Sequence, residues 1–187
     1  MKPFSITMLT LALMECAIAQ DVPPPPPLRG DAASLEDTMK FLASRLPSKV
    51  NYIVYTHDNV AGTDLPAVKR SFEVSNVSAD ASSCSIRFHS RFDYGKSTDI
   101  RDMDNEIVLK QVREIVLGQM DQVVQQAVAK GGHPERSVKI DPPIFLVRVR
   151  WDHGMTFNFY DETLSGRVSK ALQHAVDLCG GGNPEPF

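Results

Sequence analysis

The chain has 187 residues, 42% of them apolar and 23% charged, with a formal net charge of −3. That balance belongs to a globular protein able to bury a core, at a length suited to one domain with appendages. With 20 Lys and Arg against 23 Asp and Glu and no basic cluster, the chain does not offer the many phosphate neutralisations that nucleic-acid binding demands.

Residues 1–19 have the layout of a secretory signal peptide. Lys2 supplies a positive start, Phe4 to Met14 a short apolar run, and Ala17-Ile18-Ala19 a small-x-small cleavage site before Gln20. The run is shorter than the about 20 apolar residues that a bilayer span takes. The expectation is export, to the periplasm or beyond, with no transmembrane span. Leu13-Met14-Glu15 lacks the small residues of a lipobox, so Cys16 should leave with the signal. Residues 20–33 read as a proline-rich linker. Pro23 to Pro27 favour polyproline II, a stiff spacer rising about 3.1 Å per residue. A single α+β domain is expected over 34–187.

Ser34 is placed to cap a helix over 34–46, with Asp37 as a capping-box partner and Leu35, Met39, Leu42 and Leu46 on one face. Between residues 49 and 160 strands take over. Val50 to Thr56 reads as a covered strand, Asp58 to Arg70 as a loop, and Ser71 to Ser78 as a strand with Phe72 and Val74 inward. The triplet Asn76-Val77-Ser78 matches a glycosylation sequon, a short and weakly specific signal. Ser83 to Tyr94 alternates Cys84, Ile86, Phe88 and Phe92 against Arg87, His89, Arg91 and Asp93. A polar stretch, Gly95 to Asn105, then precedes a fourth strand, Glu106 to Gln111, with Ile107 and Leu109 inward.

The segment 112–129 carries two signals. Ile115-Val116-Leu117 favours a strand, while Met120, Val123, Val124, Ala127 and Val128 have helical spacing; we take a strand to Leu117 and a helix after it. Gly131-Gly132-His133-Pro134 and Asp141-Pro142-Pro143 are breakers. Ile144 to Trp151 and Met155 to Tyr160 form a hairpin across Asp152-His153-Gly154. The closing helix spans 161–179, capped by Asp161, with Leu164, Val168, Leu172, Val176 and Cys179 on one face and Gly180 at the left-handed C-cap position.

Removing Cys16 leaves Cys84 and Cys179, an even pair in an oxidising compartment. A period of 2 aims Cys84 inward from its strand, and a period of 3.6 aims Cys179 inward from its helix. A disulfide between them is expected. It would close a loop of 96 residues, counting 84 to 179 inclusive.

Seven strands followed by one helix resemble the pleckstrin-homology-like superfold over Val50 to Cys179, above all in the hairpin-to-helix run Trp151 to Cys179. The resemblance implies an antiparallel seven-stranded barrel of two near-orthogonal sheets, capped by the C-terminal helix, here with one extra N-terminal helix. Phosphoinositide-binding members carry basic residues on and between the first two strands. This chain offers only Lys69 and Arg70 there, against Asp58 and Asp64, so phosphoinositide binding is not carried over. The tryptophan typical of the eukaryotic family's helix is absent, since Trp151 falls on a strand. The ending His174 to Phe187 also resembles that of a group of uncharacterised exported bacterial proteins, which implies no activity.

No constellation of reactive residues stands out. His57, His89, His133, His153 and His174 never fall at i, i+4 or in an H-E-x-x-H pattern, so no metal site is expected. Asp99, Asp102, Asp104 and Glu106 resemble part of a calcium loop, but the central Gly is missing and Arg113 stands at the closing glutamate position. A solvated turn is the expected form of that segment. There is no Gly-x-Ser-x-Gly elbow, phosphate loop or dinucleotide glycine pattern, and Gly180-Gly181-Gly182 follows a helix instead of opening one. The expectation is a non-enzymatic, cofactor-free module for a protein or peptide partner, with no ligand-binding residues assigned. The alternative is a carrier of a small apolar ligand held between the barrel and the helix 34–46, lined by Phe72, Phe88, Phe92, Phe145, Phe157 and Phe159; a cryptic hydrolase ranks third.

Overall fold

A computed structural model describes residues 33–95, 100–152 and 154–182. The signal peptide with Cys16, the proline run, Asp99, His153 and the tail 183–187 lie outside those residues. Helix α1 is Leu35–Arg45. Ser34 Oγ accepts from Asp37 N at 3.1 Å, as a cap should, and donates to Asp37 Oδ2 at 2.7 Å. The face bearing Met39, Leu42 and Leu46 is buried, and α1 packs against helix α3, Glu162–Leu178.

Nine strands alternate with these helices among the described residues: β1 Ser48–Asp58, β2 Thr63–Asp64, β3 Val68–Asp80, β4 Ser85–Asp93, β5 Ile100–Val108, β6 Glu114–Gln119, β7 Arg136–Asp141, β8 Phe145–Arg150 and β9 Met155–Phe159. Helix α2, Met120–Lys130, follows β6 as expected and lies against β7 and β6. The strands make two antiparallel sheets. The larger runs β2-β1-β3-β4-β5 with β7 on the other side of β1, and the smaller runs β6-β8-β9.

The sheets do not close, which corrects the seven-stranded barrel. β1 explains why: it pairs with β3 along 48–54 and with β7 only along 53–58. Beside Asn51, where another strand would have continued the larger sheet, the Tyr160 hydroxyl accepts from Asn51 N at 2.6 Å and donates to Asn51 O at 2.9 Å. One phenol thus satisfies both backbone groups that a ladder would have paired.

Other expected boundaries move as well. The loop Asp58 to Arg70 contains β2 and the start of β3, because Asp58 Oδ1 accepts from Val60 N and Ala61 N and so turns the chain tightly back. The polar stretch up to Asn105 is strand from Ile100 onward, and Leu109–Gln111 is a 3-10 turn instead of a strand end. β7 was not expected at all. Asn76, in the sequon, is exposed at φ +53 beside a register shift between Ser75 and Ser78, a conformation that Asn tolerates.

One continuous core joins both sheets and the helices, from Met39 to Cys179. The disulfide forms: Cys84 and Cys179 are bonded with Cα atoms 5.9 Å apart. The chain beyond Cys179 is anchored too. Gly181 N donates to Val176 O and Gly180 N to Asp177 O, with Gly180 at φ +74, the full Schellman arrangement. A Cβ on Gly181 would stand 2.3 Å from Leu109 O, so only glycine passes there, and Gly182 N then donates to Val112 O.

Candidate functional site

The outer face of the larger sheet carries an ordered charge pattern. Lys49 stands opposite Glu73, Glu73 opposite Arg91, and Arg91 opposite Asp102, so one row across four strands reads plus, minus, plus, minus. The neighbouring rows run Ser75–His89–Asp104 and Ser78–Arg87–Glu106. All three rows end in an acid on β5. Ion pairs follow the register: Lys49–Glu73 at 2.9 Å, Arg91–Asp102 at 3.4 Å and Arg87–Glu106 at 2.9 Å.

His89 is held from both sides. Its Nε2 lies 2.7 Å from Asp102 Oδ1 and its Nδ1 2.9 Å from Asp104 Oδ1. Carboxylates only accept, so the arrangement favours the protonated ring, in which both nitrogens donate. The Asp104 hydrogen bond is the main cause raising the His89 pKa above its ordinary value; partial desolvation opposes it and Asp102 adds to it. Ser75, His89 and Asp104 share a row, yet this is no nucleophile–base pair. With both nitrogens engaged, the ring has none left to take a serine proton.

β5 is an edge: among the described residues β4 is its single strand neighbour. Leu109 N donates to Cys84 O, which fixes which pairs of the β4–β5 ladder are hydrogen-bonded. Counting back by twos, Ile107, Asn105, Met103 and Arg101 point their backbone groups at β4. Ile100, Asp102, Asp104 and Glu106 point theirs outward, away from the sheet. The acidic side chains and the free backbone groups therefore belong to the same residues.

On the inner face the same edge carries Arg101 and Met103, the latter 46% exposed. The guanidinium carbons of Arg101 and Arg70 lie 5.4 and 5.9 Å from the centre of the Tyr94 ring, which packs on Phe92 at 4.1 Å. Beneath them the Tyr52 phenol is pushed up in pKa by burial, with Arg70 opposing.

An open depression of ≈ 500 Å³ lies against Asn51, Ile53, Lys69, Ser71, Asp93 and Asp141. Lys69 and Arg70, flagged from the sequence as loop residues, sit on β3 opposite Ile53 and Tyr52. The six phenylalanines proposed as a cavity lining do not line this depression. Phe72, Phe88, Phe157 and Phe159 are buried in the core, with Phe88 on Phe157 at 5.2 Å and Phe72 on Phe92 at 5.9 Å, while Phe92 and Phe145 are half-buried.

The other histidines among the described residues have separate partners: His57 with Asp64, His133 with Glu135, and His174, which donates to Ala33 O. No group of three or more His, Cys, Asp or Glu suited to a metal occurs among the described residues. The turn expected around Asp102, Asp104 and Glu106 is corrected: those acids alternate along β5, facing Arg91, His89 and Arg87. The signal was present as two period-2 charge patterns of opposite sign, 87-89-91 and 102-104-106. No protein-family model matches the chain, and no curated protein and no solved structure matches it.

Proposed function

We propose that the protein is an exported, non-catalytic binding module that takes an extended segment of a partner protein onto the free edge of β5. The observation that carries this reading is the edge itself. It is nine residues long, with alternate backbone groups directed outward and no strand beside them among the described residues. Strand addition uses such groups for affinity and the alternating side chains for selection. The resemblance to an interaction superfold is compatible with it to the extent that a C-terminal helix packs on the smaller of two antiparallel sheets. Export is supported by the signal-like residues 1–19 and by the disulfide. No helix among the described residues is long and apolar enough to cross a membrane.

Site-specific photocrosslinking in the native envelope tests the reading. A probe at Asp104 should trap a partner that a probe at Lys170, on the exposed side of α3, does not. Asp104→Pro should abolish trapping from a probe at Ile100. It removes an outward N–H but no β4–β5 hydrogen bond. Equal yields from β5 and α3, or trapping unaffected by Asp104→Pro, would refute it.

A further inference from the structure

Resting on the reading of β5 as a docking edge, we infer that its occupant is a basic extended segment with Lys or Arg at every second position. The register carries the argument. Charges alternate in sign along the row Lys49–Glu73–Arg91–Asp102, β4 sets Arg91, His89 and Arg87 against acids in all three rows, and those rows stop at Asp102, Asp104 and Glu106, one strand short of the next positive set. Those three residues also direct their backbone groups outward, so an added strand would hydrogen-bond to the acidic residues themselves. Its alternate side chains would then stand directly opposite the carboxylates. The Asp104 side chain is 94% exposed, and those of Asp102 and Glu106 are about half exposed, so all three remain reachable while paired to β4.

The same pattern rejects a second copy of this chain. Two β5 strands paired antiparallel and centred on the acids would oppose outward residues to outward residues, setting Asp102 against Asp104 of the copy, or Asp102 against Glu106 with Asp104 facing itself. Like charges directly opposite destabilise a pair of strands. The residues between the basic ones would lie over Met103 and Arg101 on the inner face, where apolar or acidic side chains fit.

The test uses the full disulfide-bonded chain and amide NMR titrations with three short synthetic peptides. One has lysine at alternate positions with threonine between, one has the same composition with its lysines in a block, and one has serine for every lysine. The alternating peptide should shift the amides of Ile100–Val108 and bind about tenfold more tightly than the serine peptide, the size expected of a few cross-strand charge pairs. That advantage should shrink with added salt and disappear in Asp102→Asn/Asp104→Asn. Equal affinity for the block peptide would overturn the inference, because alternation would then not matter. Serine and lysine peptides binding β5 equally well would overturn the basic partner while leaving the edge reading in place. Absence of shifts on β5 with every peptide would overturn both.

Discussion

Reduction of the Cys84–Cys179 bond offers a direct measure of how the fold is closed. The two cysteines are 95 positions apart, so the loop-entropy relation puts the crosslink at about 4.7 kcal/mol, with delivered values commonly about 2–4 kcal/mol. Comparing oxidised with chemically reduced protein isolates the crosslink, since no residue is replaced. Both cysteines are buried, 8% and 6% exposed, and α3 keeps Val168, Leu172, Ala175 and Val176 in the core without the bond. Reduced protein should therefore still fold. In urea, a slope of about 2 kcal/mol per molar turns a loss of about 2–4 kcal/mol into a midpoint lower by about 1–2 M. The slope itself should steepen, because the unfolded chain is no longer cross-linked and exposes more surface. A midpoint shift below about 0.5 M would mean that the bond constrains the unfolded chain far less than its loop length implies.

Three further outcomes follow from single sites. Gly181→Ala should destabilise by about 1–3 kcal/mol, since its Cβ would press on Leu109 O, whereas Gly166→Ala, inside α3 with open space around it, should stabilise by about 0.5–1 kcal/mol; paired melting curves read both. His89, followed by its ring protons in NMR, should titrate above 6.5, and Asp104→Asn should lower that value more than Asp102→Asn does. Because its folded pKa is raised, the His89 contribution to stability is fully present below pH 6.5 and is lost as pH rises through the folded value; titration at or below 6.5 would contradict the double clamp. Tyr160→Phe should cost about 0.5–1.5 kcal/mol in denaturant, toward the lower end because water reaches Asn51, and an unchanged midpoint would show that the phenol bridge to β1 is dispensable.

Sequence periodicity located α1, α3, the β8–β9 hairpin and the cysteine pair because in each case apolar residues repeat on one face and bury against a partner. It failed on β5 for a physical reason. Apart from Ile107, that strand's side chains are not buried, so a search for apolar alternation sees nothing before Glu106. Its alternation is written in charge, and becomes legible only when Asp102, Asp104 and Glu106 are set against Arg91, His89 and Arg87. β7 was missed because Val138 and Ile140 make too short a pattern between two breakers. The Tyr160 bridge and the need for glycine at 181 depend on groups more than 70 positions away. Nothing local announces either. The candidate edge thus lay in view as residues, while its status as an edge required the sheet order.

The closures of the fold gather in its last stretch: Tyr160 on Asn51, Cys179 on Cys84, and Gly182 on Val112. β5 receives none of them. It is held by its ladder to β4 and, at its far end, by Ile107 in the core, fully buried like Leu109 just beyond it. Toward its start, Arg101 and Met103 are exposed and the outer-face ion pairs are of the surface kind, worth little individually. Opening of the first half should therefore cost less than opening of the second, by the order of one buried aliphatic side chain, about 1.5–3 kcal/mol. Amide hydrogen exchange reads this, provided only the inward amides are compared, since those of Asp102, Asp104 and Glu106 lack a strand partner in any case. Met103 N–H should exchange about 10- to 100-fold faster than Ile107 N–H. Uniform protection along Arg101, Met103, Asn105 and Ile107 would show that β5 opens only with its whole ladder. A docking strand would then meet a rigid edge instead of one that it helps to order.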